Sequence, residues 1–296
     1  MSVGIATSGR GHILPETVRY LALQTRLPDE LIICSPSTTD VPVALAEGAP
    51  FPVRFVQAEL GLTRQRNAIV RAADRSDVLL FIDDDFFLCD TYLAEMERVF
   101  GRGEVVVATG TVLADGIKGP GIPPDEAGRI IRRENAVGRP AALHPIRQGY
   151  GCNMALRYRP MVTHGLTFDE NLPRYGWYED VDLMRRLGAY GEAVRSTAAR
   201  GVHLGTKAGR TSGRFLGYSQ VANPIYLYGK GTYSLAEVFR SIGKNMAANI
   251  ARSFRPESYI DRRGRLLGNL VALRDLAARK LHPMNALRMD AGKPSR

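Results

Sequence analysis

Strand-like and helix-like segments alternate along the first 82 residues, and this alternation restricts the fold more than any other feature of the chain. Short apolar runs of strand length occupy residues 3–8, 30–35, 51–58 and 77–82. Between them, residues 15–25 and 62–73 have apolar side chains at helical spacing. Such alternation is typical of a largely parallel sheet with right-handed crossovers. The sequence therefore predicts an α/β fold.

The pattern continues to about residue 205 and then changes. Further strands are predicted at 104–114, 149–158 and 192–205, with a helix at 178–191. The Gly- and Pro-rich segment 115–128 is predicted to be a mobile loop. Beyond about residue 233 the pattern is helical and strand-free. We therefore predict an α/β domain at residues 1–232 and a helical extension at residues 233–296.

The net charge of +10 is concentrated in this extension. Residues 237–296 contain 13 Lys/Arg and 5 Asp/Glu, so the preceding residues are nearly neutral. Within 262–281, apolar side chains at helical spacing are Leu266, Leu270, Leu273, Ala277 and Leu281. A basic amphipathic helix indicates docking on an anionic membrane surface, and the alternative is a helix packed on the α/β domain. Few aromatic residues and no recognised motif argue against nucleic acid as a partner.

Cysteine content and the N-terminal segment bear on the cellular setting. Cys34, Cys89 and Cys152 are widely spaced, and an odd number of cysteines argues against a disulfide framework. The N-terminal segment lacks the apolar core of a signal peptide. No apolar run approaches the roughly 20 residues that a transmembrane helix requires. These features predict a cytoplasmic protein, peripheral on the inner face of the membrane if it contacts one.

Three consecutive aspartates, Asp83, Asp84 and Asp85, directly follow the apolar run at 78–82. Like charges in apolar surroundings repel one another and lose hydration. On an extended backbone residues i and i+2 point the same way, so Asp83 and Asp85 can converge on one cation. The alternatives are a solvated turn and a phosphatase site of the haloacid dehalogenase type. The latter expects a small residue or Thr soon after the second aspartate, where Phe86 and Phe87 follow.

Three further groups have side chains suited to chemistry, although each also has an ordinary structural explanation. Glu179 and Asp180 precede a predicted helix, whose dipole favours anions, and first-turn capping is the alternative. His203 follows a strand-like segment, where a structural histidine is common. Arg64 and Arg66 suit either phosphate binding or a solvated helix face.

The order of these motifs resembles that of the family 2 glycosyltransferases, whose nucleotide-diphospho-sugar fold is called GT-A. The resemblance runs from residue 3 to about 230 and is carried by YLALQTRLPDELIICSPSTTD, GLTRQRNAIVRAA, LLFIDDDF, GCNMALRYRPM, GLTFDENLPRYGWYEDVDLMRRL and GVHLG. It implies a GT-A (Rossmann-like), mainly parallel sheet flanked by helices and followed by a C-terminal helical extension. It also implies inverting, metal-dependent transfer of a sugar from a nucleotide-diphospho-sugar to an acceptor hydroxyl in bacterial glycan or glycoconjugate biosynthesis.

The resemblance also implies roles for individual residues. Asp83, Asp85 and His203 are the implied ligands of Mn²⁺ or Mg²⁺. Asp180 is the implied general base, and Glu179 orients the acceptor or the base. Contacts with the nucleotide sugar are implied for Thr7, Ser35, Arg64, Asn67, Asp83, Asp84 and Asn153.

Two departures from the family pattern bear on the substrates. The second strand of the family usually ends in an acidic pair that contacts the nucleobase, but Ser35 and Pro36 stand here, with only Asp40 nearby. Guanine or thymine donors are therefore candidates beside uridine donors. The RxxRW-type signature of processive polysaccharide synthases is missing, which favours a single transfer. The acceptor is a carbohydrate, a lipid-linked glycan or a small molecule.

Two other functions account for parts of the sequence. A nucleotidyltransferase would need a glycine-rich phosphate loop near the first strand, which residues 7–16 match only loosely, and it would leave residues 179–182 unexplained. A sugar-binding relative without catalysis would have no need of Asp83, Asp85, Asp180 and His203 together.

Overall fold

The computed structural model describes residues 1–42, 44–137, 140–207 and 211–290. The chain forms two compact units. The first unit comprises Met1–Leu60, Arg64–Phe168 and Leu183–Gly209. The second unit comprises Gly61–Thr63, Asp169–Asp182 and Arg210–Arg296.

The first unit is built on one sheet of nine strands in its described residues. The strands are β1 (Ser2–Ala6), β2 (Glu30–Ser35), β3 (Val53–Gln57), β4 (Val78–Asp83), β5 (Phe86–Leu88), β6 (Val105–Asp115), β7 (Leu143–Pro145), β8 (Asn153–Arg157) and β9 (Glu192–His203). Their order is β3-β2-β1-β4-β8-β6-β9-β5, with β7 paired to β9.

The sheet is mixed in direction. Strands β3, β2, β1 and β4 are parallel, as the alternation along the first 82 residues predicts. Strand β8 is antiparallel to both β4 and β6, and β5 and β7 are antiparallel to β9, whereas β6 and β9 are parallel. The predicted α/β class is confirmed, and the antiparallel pairs make the sheet a mixed one, with four parallel and four antiparallel strand pairs in the described residues. An apolar run reports that a strand is buried and does not report its direction.

Ten helices accompany the strands in the described residues. They are α1 (Leu14–Ala22), α2 (Ala44–Glu47), α3 (Leu62–Ala72), α4 (Tyr92–Phe100), α5 (Pro124–Asn135), α6 (Tyr158–Thr163), α7 (Glu179–Leu187), α8 (Gly213–Gly229), α9 (Leu235–Arg252) and α10 (Arg262–Ala277). Short 3₁₀ helices lie at Thr38–Asp40, Gly116–Lys118, Gly188–Tyr190 and Pro283–Met289. Helices α3 and α7 contribute residues to both units.

Helices cover both faces of the sheet in the first unit. Successive strand residues point to opposite faces, and the central strands are apolar on both. On one face Leu80 joins a buried cluster with Leu21 of α1 and residues of α4. On the other face Phe81 packs in a second cluster with Ile69 of α3 and Leu183 of α7. The sheet is therefore packed on both faces, and this packing fixes the positions of the strand ends.

The segment predicted to be a mobile loop, 115–128, is mostly regular structure. Strand β6 continues to Asp115, a 3₁₀ helix follows, and α5 begins at Pro124. Pro123 and Pro124 lie at the start of α5, where a missing backbone N–H leaves no hydrogen bond unmade. The loop prediction is therefore wrong for most of this segment, because its prolines start a helix.

The second unit contains α8, α9 and α10, and glycines determine how two of them pack. A Cβ atom on Gly217 would collide with the backbone oxygen of Arg265, and one on Gly268 with that of Arg214. Only glycine permits this approach of α8 and α10. The predicted division into residues 1–232 and 233–296 stays a prediction, whereas packing groups α8 with the two helices that follow it.

The buried face of α10 is small and polar. Its buried residues are Arg262, Gly264, Gly268, Asn269, Ala272 and Asp275. The leucines that define the apolar stripe in the sequence are only partly covered, and Leu270 is 52% exposed. Close backbone approach at the glycines selects this face, because leucines there would hold the two helices apart.

Two observations relate to the predicted cellular setting. Cys34, Cys89 and Cys152 are buried and form no disulfide. Within the described ranges, no helix has both the length and the apolar composition to cross a membrane.

Candidate active site

The carboxyl ends of β4, β6 and β9 bring acidic and imidazole side chains together in the first unit. Asp83, Asp115 and His203 are the last residues of these three strands. Asp115 and His203 are direct partners in the parallel register of β6 and β9. Asp85 lies in the turn that follows β4. Ligands in α/β sheets collect at such strand ends.

Asp83, Asp85 and His203 form a compact group of potential metal ligands. One ligand atom from each lies within 4.8 Å of the others. His203 Nε2 is 3.4 Å from Asp85 Oδ1 and 3.7 Å from Asp83 Oδ2. Asp85 Oδ1 is buried and accepts no hydrogen bond from the described part of the chain. Two carboxylates and an imidazole suit Mn²⁺, and the carboxylates suit Mg²⁺, so the three residues fit a divalent cation.

Asp84, in the turn that follows β4, has other partners than this group. Its side chain is 1% exposed. Oδ2 accepts a hydrogen bond from Thr7 Oγ1 at 2.6 Å, and Oδ1 lies 3.0 Å from a guanidinium nitrogen of Arg10. Thr7 and Asp84, both predicted to contact the nucleotide sugar, therefore contact each other and fix the turn after β4.

Cationic side chains offset the three clustered aspartates. Arg10 lies 3.6 Å from Asp85 in addition to its contact with Asp84. Arg66 is buried; its Nη2 lies 3.3 Å from Asp83 Oδ1 and donates a hydrogen bond to Gly151 O at 2.9 Å. Together with His203, these arginines make the aspartate run compatible with its apolar surroundings.

The protonation states of the cluster follow from burial and from these neighbours. Burial raises the pKa of Asp83, and it raises the pKa of Asp84 to about 7. Burial also opposes ionisation of Asp85, but the adjacent His203 and Arg10 lower the pKa of Asp85 below its usual value. Burial would lower the pKa of His203, but Asp115 and Asp85 raise it to about 10. A cation binds the deprotonated ring nitrogen, so cation binding at this site is coupled to loss of a proton.

Ser35 and Arg64, two of the residues predicted to contact the nucleotide sugar, have polar partners within the first unit. Ser35 Oγ donates a hydrogen bond to Asp40 Oδ2 at 3.1 Å. A carboxylate thus lies beside the end of β2, although none is present at residues 35 and 36. Arg64 is 37% exposed and forms an ion pair with Glu59.

Asn67 and Asn153, also predicted to contact the nucleotide sugar, are buried. The Asn67 amide donates to Phe168 O at 3.0 Å and accepts from Phe168 N at 2.9 Å. Asn153 Oδ1 accepts hydrogen bonds from Thr109 Oγ1 and from Gly110 N. Asn153 Nδ2 has no hydrogen-bond partner among the described residues. These contacts stabilise the fold, and the nucleotide contacts stay predictions.

Glu179 and Asp180 occupy the first turn of α7 and belong to the second unit. Glu179 is buried, and Asp180 is half-buried. The backbone before them is strained, with positive φ angles of 55° at Arg174 and 71° at Tyr178. Gly176 also has a positive φ, and a Cβ atom there would lie 2.8 Å from Glu179 Cγ. The chain therefore turns sharply where it presents this acidic pair.

Asp182 has a different role from the two acids that precede it. Its side chain is fully buried and accepts hydrogen bonds from Lys230 Nζ at 2.8 Å and Thr232 Oγ1 at 2.9 Å. Lys230 also pairs with Asp169. This buried network ties the start of α7 to the end of α8 within the second unit.

Several residues of the first-unit site have no motif that sequence analysis could detect. Thr206 N donates a hydrogen bond to Asp85 Oδ2 at 2.7 Å, and Tyr150 Oη donates one to Asp115 Oδ2 at 3.1 Å. Asp115 contacts His203 directly. The only signal in the sequence for Asp115 is its position directly after the strand predicted at 104–114.

Comparison with known proteins gives a family match and several structural relatives. The family model described as glycosyl transferase family 2 matches residues 2–162, just over half of the chain. No curated protein matches the sequence.

Among solved structures, S. aureus TarS 1-349 in complex with UDP is 13% identical with a TM-score of 0.55; 100% of this chain and 92% of that chain align. GalNAc-T7 with UDP, GalNAc and Mn²⁺ is 13% identical with a TM-score of 0.56, over 83% of this chain and 57% of that chain. Another TarS structure, at 12% identity and TM-score 0.50, aligns with 87% of this chain and 44% of its own length. At these identities the likeness is one of fold, and the fold is GT-A.

Proposed function

Because this chain belongs to glycosyl transferase family 2, we propose that it transfers a sugar from a nucleotide-diphospho-sugar donor to an acceptor hydroxyl. The observation that carries the proposal is the meeting of Asp83, Asp85 and His203 at the carboxyl ends of the strands. Nucleotide donors are supported by the relatives whose structures contain UDP or UDP-GlcNAc.

Asp83, Asp85 and His203 would hold Mn²⁺ or Mg²⁺. Breaking the bond between the sugar and the nucleoside diphosphate leaves negative charge on the diphosphate, and a divalent cation supplies the opposite charge. Support for a metal comes from the buried Asp85 Oδ1 and from the Mn²⁺ in the GalNAc-T7 structure.

Asp180 would act as the general base. In the proposed reaction the acceptor oxygen forms a bond to the anomeric carbon, the bond to the diphosphate breaks, and the acceptor proton passes to the Asp180 carboxylate. This direct displacement inverts the anomeric centre, and general-base assistance contributes about 10²–10⁴-fold. Glu179, in the same helical turn, would orient the acceptor or the base.

We propose a single transfer onto a carbohydrate, a lipid-linked glycan or a small molecule, in bacterial glycan or glycoconjugate biosynthesis. The test is a thermal-shift panel of nucleotide sugars with and without Mn²⁺, followed by product analysis. Stabilisation by one nucleotide sugar only in the presence of metal supports a metal-dependent transferase. Release of inorganic diphosphate from a nucleoside triphosphate would instead indicate a nucleotidyltransferase. Donor binding without turnover on any acceptor would indicate a sugar-binding protein.

The nucleotide preference can be tested at the end of β2. Since Ser35 and Pro36 replace the acidic pair, we expect either weak discrimination among UDP, GDP and dTDP in competition against one reporter ligand, or a preference for a base other than uracil. A UDP preference above about 100-fold, roughly 2.7 kcal/mol, would show that other residues recognise uracil. Asp40 is then the first candidate, because its carboxylate lies beside Ser35. In that case Asp40→Ala should reduce the preference.

The surface of the second unit exposes aromatic and basic residues on α9 and directly after it. Phe254 is 83% exposed and Phe239 is 69% exposed. Arg240 and Lys244, on the same helix as Phe239, are also exposed. The extension carries a clear excess of basic residues. We propose that this surface binds the cytoplasmic face of an anionic membrane, where a lipid-linked acceptor would be available.

Binding to anionic vesicles should fall steeply with salt, because the Debye length at physiological ionic strength is about 8 Å. Neutral vesicles should bind poorly. Replacing Arg240 and Lys244 with Gln should weaken binding by up to about 2 kcal/mol, at roughly 1 kcal/mol for each charge. Phe254→Ser should also weaken it, whereas Val162→Ser, at an exposed apolar residue of the first unit, should not. Equal sedimentation with anionic and neutral vesicles at low salt would contradict the proposal.

A further inference from the structure

His203 contacts a third carboxylate on the side of its ring opposite Asp83 and Asp85. Its Nδ1 atom is 2.9 Å from Asp115 Oδ1, while Nε2 faces the other two aspartates. Asp115 and His203 are paired residues of neighbouring parallel strands, so the sheet itself fixes their separation. The two ring nitrogens of His203 therefore face different carboxylates: Nδ1 faces Asp115, and Nε2 faces the proposed cation site.

The chemistry of Asp115 determines which nitrogen can bind a cation. An ionised carboxylate only accepts hydrogen bonds, so the Nδ1 atom of His203 has to carry a proton. In the neutral imidazole the lone pair is then on Nε2, the atom next to Asp83 and Asp85. Histidines that bind metals usually donate their other N–H in this way, which fixes the ring and makes the ligand nitrogen more basic.

Asp115 is itself held firmly in place. Oδ1 also accepts a hydrogen bond from Ile117 N at 3.1 Å, and Oδ2 accepts one from Tyr150 Oη at 3.1 Å. A Cβ atom on Gly116 would collide with the backbone oxygen of Leu204, so the residues that follow Asp115 and His203 are in close contact. Lys207 Nζ donates hydrogen bonds to the Gly116 and Ile117 carbonyls at 3.0 Å.

We propose that Asp115 is a positioning residue for the cation site, acting through His203. It holds the imidazole in the orientation and tautomer in which Nε2, together with Asp83 and Asp85, can bind Mn²⁺. This inference rests on the proposed cation site and adds a residue that no motif indicates.

The test is the dissociation constant for Mn²⁺, measured by electron paramagnetic resonance on the full chain without nucleotide. We expect Asp115→Ala to raise it about 10- to 100-fold, the usual effect of losing such a partner. Asp115→Asn should restore most of the affinity, because the amide oxygen can still accept the Nδ1 proton. Tyr150→Phe is the matched control: it removes a hydrogen bond to Asp115 but keeps the aromatic ring that packs edge-on against His203, so the constant should change less than about threefold.

The outcomes separate this inference from the proposed function. If wild type binds Mn²⁺ and folded Asp115→Ala binds it equally well, Asp115 has no positioning role and the cation site stands. If wild type does not bind Mn²⁺, the cation site and this inference both fail, and product analysis tests sugar transfer separately. A purely structural role would lower the Tm of the metal-free protein without changing the constant.

A second measurement applies even if Asp115→Ala does not fold. In wild-type protein with ¹⁵N-labelled histidine and bound Cd²⁺, a diamagnetic substitute, His203 should carry its proton on Nδ1 and bind the metal through Nε2. Comparison with His203→Gln identifies its signals among the five histidines. A proton on Nε2 in the loaded protein would overturn the inference.

Discussion

Asp85→Asn should leave the fold intact and abolish metal-dependent donor binding. The side chains have nearly the same shape, but Asn carries no charge, and it would place an N–H group at one of the two carboxylate oxygens, of which Oδ1 faces His203 Nε2. Removal of an oxyanion-hole donor, another fixed electrostatic contact, typically lowers turnover by about 10²–10³-fold, and we expect a loss of at least that size here. Loss of a cation ligand should reduce Mn²⁺ affinity by at least a comparable factor. The measurements are Mn²⁺ affinity, donor binding with and without Mn²⁺, and the initial rate of transfer.

Asp84→Asn is the matched control for this prediction. It changes the neighbouring aspartate, whose carboxylate contacts Thr7 and Arg10 and is not one of the three proposed cation ligands. We expect a lower Tm but a change in Mn²⁺ affinity of no more than a few-fold. Wild-type donor binding and turnover in Asp85→Asn would show that the aspartate run has no metal role.

Asp180→Asn should reduce turnover by about 10²–10⁴-fold while donor affinity changes by no more than a few-fold. The reason is that an amide cannot take the proton of the acceptor hydroxyl, whereas the proposed donor contacts lie elsewhere in the sequence. The measurements are kcat at saturating donor and acceptor, together with donor affinity by thermal shift.

Asp182→Asn is the control variant for the Asp180 prediction. Asp182 is buried and paired with Lys230, so this change should lower the Tm, which Asp180→Asn should not. Equal losses of donor affinity and turnover in Asp180→Asn would instead assign Asp180 to the nucleotide site.

Part of the site could be predicted because the patterns that indicate it, such as the aspartate run after an apolar strand, span only a few consecutive residues. The sequence predicted that Asp83 and Asp85 converge and that Asp84 does not; the structure brings Asp83 and Asp85 together through a turn at residues 84 and 85, and Asp84 contacts Thr7. Alternation of apolar runs with helical segments correctly predicted the four parallel strands β1 to β4. In both cases the pattern reflects backbone geometry over a few residues.

The order of the motifs along the chain also pointed to His203, which lies far from the aspartates in the sequence. It did not point to the residues that support the cluster. Neither Arg10 nor Asp115 stood out in the sequence, and their roles depend on which strands are neighbours in the sheet. Asp115 becomes a partner of His203, 88 positions away, only because β6 and β9 are neighbours in the sheet.

The sequence by itself determined the four parallel strands β1 to β4, the helices α1 and α3, and the burial of the central strands. Tertiary structure alone decided that β8 lies antiparallel between β4 and β6, and that α10 packs through Gly268 rather than Leu270. The physical reason is the range of the interactions. Periodicity reports how each segment divides its side chains between core and solvent. Strand order and the choice of packed helix face depend on shape and hydrogen bonding between segments that are distant in the chain.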